Sequence, residues 1–141
     1  MDLPSDQRWL RVALLIAILY PVVGIAFAFL PSPSNTLLIT WRLAAWLLSA
    51  LAFAAHVGYE HFRLRNPPLR AALHVAAAVA LGAFVLAVWV IAHARWSGAA
   101  SHQSPLAPLS LVLFPAVTGV PAFVVALGAF AVLARMRRHG Q

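Results

Sequence analysis

Three residues in this sequence are of types and spacing that could do chemistry: His56, Glu60 and His74. Glu60 is the only acid beyond the N-terminal tail, which carries Asp2 and Asp6. It follows His56 by four positions, so on a helix the two side chains share a face, one turn apart. His74 lies past the break "NPP" at 66–68. An antiparallel hairpin about that break would bring His56 and His74 to similar depth on facing helices. Two neutral imidazoles so disposed suit a six-coordinate haem b, and helix bundles build such sites in their cores. His56 and His74 are therefore the candidate cofactor ligands. Glu60 can also pair along its own helix with His56 or Arg63, a structural pairing rather than general acid–base work.

The same segment carries a longer pattern. Arg42, Trp46, Ser49, Phe53, His56 and Glu60 recur at alternating steps of four and three residues. That spacing places them on one helix face, and polar groups at membrane depth usually turn toward neighbouring helices. The stripe of Arg42, Ser49, His56 and Glu60 is expected to face inward, with Leu47, Leu51 and Ala54 turned to lipid or a neighbour. It would line a path for a proton, an ion or a small ligand. The plainer alternative lets Arg42 snorkel outward, Ser49 bond its own helix, and His56 and Glu60 sit at the wet boundary.

Other chemistries find no support. The chain has no cysteine, which removes thiolate catalysis and cysteine-based metal sites. His93 and His102 are too few ligands for a closed zinc site, and no metal site is expected. His61 and His139 are expected to be solvated. No nucleophile triad, phosphate loop or paired carboxylate occurs, so the chain reads as non-enzymatic.

The elements that must position these residues follow from composition. The chain is 63% hydrophobic and 9% charged over 141 residues, against roughly 25% charged residues in a soluble domain. Residues 12–30, 43–59 and 71–94 carry no charge, and neither does 96–134. At about 1.5 Å per residue, such runs match a hydrocarbon core about 30 Å thick. Four helices are expected, at about 9–30, 36–59, 69–95 and 109–135. They would form a single domain over 1–141: an all-α integral membrane four-helix bundle with short loops. No alternation of period two suggests a barrel. "PSPSN" at 31–35 offers Ser34 or Asn35 as a cap, "NPP" offers Asn66 before prolines in a first turn, and "SPLAP" at 104–108 repeats that arrangement. Arg8 and Arg11 before an apolar run ending in "AFA" resemble a signal peptide, but the run exceeds the usual ~7–15 residues and retention is expected.

Orientation follows from the arginines, which make up all ten basic residues. Eight of them (Arg8, Arg11, Arg63, Arg65, Arg70, Arg135, Arg137 and Arg138) fall on one side, and Arg42 and Arg95 fall on the other. The positive-inside rule then puts both termini and the second loop in the cytoplasm. The alanine- and arginine-rich usage suggests a bacterial inner membrane. Arg63, Arg65, Arg70, Arg135, Arg137 and Arg138 are expected to meet anionic lipid. The net charge of +7 needs no nucleic acid to explain it, because the arginines punctuate apolar segments. Ala76, Ala80, Ala83 and Ala87 in the third helix, and Gly119, Ala122, Ala126 and Ala129 in the fourth, offer close-approach faces. The leading expectation is a non-enzymatic accessory or structural membrane module, packing with other membrane subunits or a second copy. The alternatives are a haem-b redox subunit and a small proton or solute transporter.

Overall fold

The computed structural model describes residues 5–98 and 106–139, with side chains for 9–98 and 106–136. It is all-helical, with no strand among the described residues. The order is α1 (Ser5–Ala28), α2 (Asn35–Tyr59), a π-helical turn (Glu60–Leu64), α3 (Pro68–Trp96), a 3₁₀ turn (Ala107–Leu109) and α4 (Ser110–His139). Four helical segments, Trp9–Ala28, Asn35–Leu64, Pro68–Trp96 and Ala107–Met136, are long and apolar enough to cross a membrane.

Local chemistry explains most helix ends. Ser34 caps α2, its Oγ accepting a hydrogen bond from the Leu37 amide at 3.3 Å. Pro67 is the N-cap of α3, so Pro68 occupies a first-turn position whose amide would have had no helical acceptor. Asn66 does not take the capping role its sequence suggests. Its side chain turns back to Glu60 instead. The second helix also runs past the stop expected near Tyr59. It widens into a π turn, closed by a bond from the Arg65 amide to the Glu60 carbonyl at 3.0 Å. Arg65 then ends the segment in the left-handed region with φ 52°. "SPLAP" falls partly outside the described residues. Just beyond it, the Ser110 hydroxyl donates to the Ala107 carbonyl at 2.6 Å.

α3 is the hub, packed along α1 on one side and α4 on the other, while α2 leans mainly on α1. Small residues make this possible. Ala76, Ala83 and Ala87 of α3 are buried, and Ala80 meets Gly119 so closely that a Cβ on the glycine would lie 3.1 Å from the Ala80 Cβ. On the α1 side, a Cβ on Gly82 would lie 2.9 Å from the Ala17 carbonyl oxygen. That carbonyl lacks its usual helical donor because residue 21 is proline. A proline in one helix and a glycine in the next therefore create one close approach, of the kind that Cα–H···O contacts favour.

The helices do not pack evenly along their length. Near the α2–α3 junction, Val57, Ala71, Ala72, Val75, Ala126 and Phe130 form a buried cluster, with Phe53, Phe123, Ala129 and Leu133 against it. The buried residues of α2 (Ala52, His56 and Val57) all lie in its second half. Its first half stands away from α3, and Leu43, Trp46 and Leu47 are exposed.

Candidate functional site

The junction end of the molecule holds the buried polar groups. Glu60 is 0% exposed and His56 is 1% exposed. Such burial is unusual for a carboxylate and requires partners. Glu60 has two. Its Oε1 lies 3.1 Å from His74 Nδ1, and its Oε2 accepts a hydrogen bond from the Asn66 amide nitrogen at 2.9 Å. Both lie beyond the π turn. Widening the helix there lets the chain double back, so that Asn66 reaches the carboxylate while α3 brings His74 down onto it. π turns recur at functional positions in helices.

His74 is fixed on a second side. The indole of Trp9 lies flat on its imidazole, with ring centroids 4.1 Å apart and planes within 5°. With Nδ1 donating to the carboxylate, Nε2 is left as the basic nitrogen. This is the orientation that a carboxylate gives to working histidines in general.

His56 is the unsatisfied member. It lies one turn before Glu60 on the same face. Both of its ring nitrogens are buried without a hydrogen-bond partner. An imidazole always carries at least one N–H to donate. Leaving buried polar atoms unpaired costs about 1–3 kcal/mol each. The fold bears that cost at a position 1% exposed.

The structure divides the predicted stripe. His56 and Glu60 are buried, Ser49 and Phe53 are half-buried, and Arg42 and Trp46 are exposed. Leu47, Leu51 and Ala54 on the opposite face are exposed as expected. Glu60 does not pair along its own helix: its contacts are His74 and Asn66, because the fold turns it toward α3. Arg63, Arg65, Arg70 and Arg135 are exposed, while the side chains of Arg137 and Arg138 lie outside the described set. The ring of His61 lies over Phe130 at 6.2 Å. His93 stacks on Trp89 at 4.9 Å, and His102 lies outside the described residues. No group of three or more metal-type ligands occurs among the described residues.

Two members of the site were not legible as such. Asn66 reads as a cap because it precedes two prolines. Trp9 carries no signal in the sequence beyond standing before an apolar run. The π turn reveals that Asn66 reaches Glu60, and the packing of α1 on α3 reveals that Trp9 covers His74.

No protein-family model matches this chain, and no curated protein or solved structure matches it either.

Proposed function

We propose that this chain is a small non-enzymatic module of a bacterial cytoplasmic membrane, with both termini in the cytoplasm. Its working part is a proton-binding centre of His56, Glu60 and His74. The bias of arginines toward the junction end supports the orientation. The single observation that carries the reading is His56, 1% exposed, unpartnered at both ring nitrogens, one turn from a buried carboxylate. Ionisable residues inside a membrane segment are costly and mark function by default. Histidine is the side chain whose ordinary titration falls between about pH 5 and 8.

Gaining a proton would give His56 a positive charge facing Glu60, and with it a reason to move toward the carboxylate. Glu60 is also the tie between the α2 end and α3, through His74. A change in who pairs with Glu60 is therefore a change in how α2 sits on α3. Proton binding at the cytoplasmic end becomes a movement of the loosely packed half of α2. Among the described residues, Arg63, Arg65 and Arg70 of the junction are exposed and would lie at the anionic lipid surface. The extensive exposed apolar faces suit lipid, another membrane subunit or a second copy.

Spin labels at Leu47→Cys on α2 and Val85→Cys on α3, both exposed positions, test the coupling. The distance distribution in bicelles should shift between about pH 8.5 and pH 5, and the shift should vanish in His56→Leu. An unchanged distribution across that range refutes the reading.

A second reading, haem b held by His56 and His74, has one observation behind it: Glu60 orients His74 as a carboxylate orients a ligating imidazole. The packing opposes it. His56 and His74 are 1% and 9% exposed, and a macrocycle between them would have to part α2 from α3. A Soret band in protein purified from haem-replete cells, lost in His56→Ala and in His74→Ala, would establish haem. Colourless protein removes this reading and leaves the proton-binding centre standing.

A further inference from the structure

Away from the junction end, a crevice of about 410 Å³ lies among all four helices. Its walls include Tyr20 of α1, Trp46 and Ser49 of α2, Gly82 and Leu86 of α3, and Thr118 of α4. Ser49 and Gly82 sit near the middles of their spans, so the crevice is at mid-depth, where membrane proteins commonly hold small solutes. Its volume is within the ~300–1,000 Å³ of small-molecule sites.

The lining defines the ligand. No charged side chain contributes to it, which excludes ions and charged headgroups. Two glycines border it: Gly24, whose missing side chain faces Leu86, and Gly82, which seats α3 against Ala17 and Tyr20 of α1. Three hydroxyls belong to its walls. That of Tyr20 is buried with no hydrogen-bond partner. That of Ser49 makes no hydrogen bond among the described residues, although a serine in mid-helix normally bonds back to its own backbone. That of Thr118 donates to the Phe114 carbonyl at 2.8 Å, and its oxygen can still accept. A hydrocarbon chain alone would leave the Tyr20 and Ser49 hydroxyls unpaired, which the interior disfavours. Trp46, 79% exposed, stands at the rim.

We infer that this crevice binds an uncharged, lipid-soluble molecule carrying one hydroxyl or carbonyl, which enters from the bilayer past Trp46. Its polar group pairs with Tyr20 and Ser49, and its apolar body lies along Leu86 and the glycines. This site is independent of the proton-binding centre.

The test is photolabelling of the full chain in mild detergent with a diazirine-bearing long-chain primary alcohol, with adducts mapped by mass spectrometry. Adducts should concentrate at Tyr20, Trp46 and Ser49. Unlabelled alcohol should displace them, whereas the alkane and the alkyl carboxylate of equal length should not. Tyr20→Phe should raise the competitor concentration needed about fivefold to tenfold, the contribution of one hydrogen bond. Ser49→Leu should abolish the focus, and Leu47→Phe on the lipid face should leave it intact. Adducts as strong at Leu47 and Leu51 as at Trp46, or competition by the alkane equal to that by the alcohol, would overturn the assignment.

Discussion

At the scale of single residues, His56 on α2 and Glu60 in the π turn make opposite predictions. Glu60 holds two partners, so Glu60→Ala leaves His74 Nδ1 and the Asn66 amide without acceptors. The loss should be about 1.5–3 kcal/mol, the range for hydrogen bonds to charged groups, read as the shift in unfolding by titration with a denaturing detergent. Asn66→Ala removes one of the two bonds and should cost less. His56 has no partner to lose. His56→Leu should therefore leave stability unchanged or raise it by up to about 1–3 kcal/mol, while the pH response disappears. That combination, more stable and less responsive, is the signature of a residue kept for function. A loss of stability in His56→Leu would instead make it a packing residue. His56, Glu60 and His74 were legible in the sequence because ionisable groups are so few among these apolar segments. Their true pairing was not. Periodicity offers Glu60 only neighbours on its own helix, whereas the partners come from beyond the π turn and from α3.

At the scale of the helices, close approach decides. A Cβ on Gly82 would meet the Ala17 carbonyl at 2.9 Å, backbone that cannot swing aside. Gly82→Ala should cost about 1–3 kcal/mol, as overpacking does. At Gly58 and Gly128 an added Cβ would have nothing within 4 Å. Gly58→Ala and Gly128→Ala should be neutral, or stabilising by up to about 1 kcal/mol through helix propensity. The same detergent titration separates these cases, and a Gly82→Ala protein as stable as Gly58→Ala would contradict the contact. The four helices were readable from uncharged runs of membrane length, and the alanine faces of α3 and α4 from their spacing. The uneven seating of α2 was not readable. Its polar stripe is continuous in sequence, but only the half near the junction has α3 and α4 against it.

At the scale of the whole molecule, the proposed orientation rests on the arginine bias. Cysteines at Ser34→Cys and Arg65→Cys should be labelled by a membrane-impermeant reagent from opposite sides of intact cells or spheroplasts, with Arg65→Cys reached only after permeabilisation. Labelling of both from the same side would contradict the four crossings. In that orientation the proposed proton-binding centre would face the cytoplasm, and the mid-depth crevice would open to lipid further out along α2. The most direct measurement of the central claim is nitrogen NMR of histidine side chains in the full chain, in bicelles, across about pH 5 to 9. A proton-binding centre predicts that His56 and His74 titrate as a coupled pair, and that Glu60→Gln shifts both. A His56 imidazole that stays neutral over the whole range, with His74 indifferent to Glu60→Gln, would contradict it.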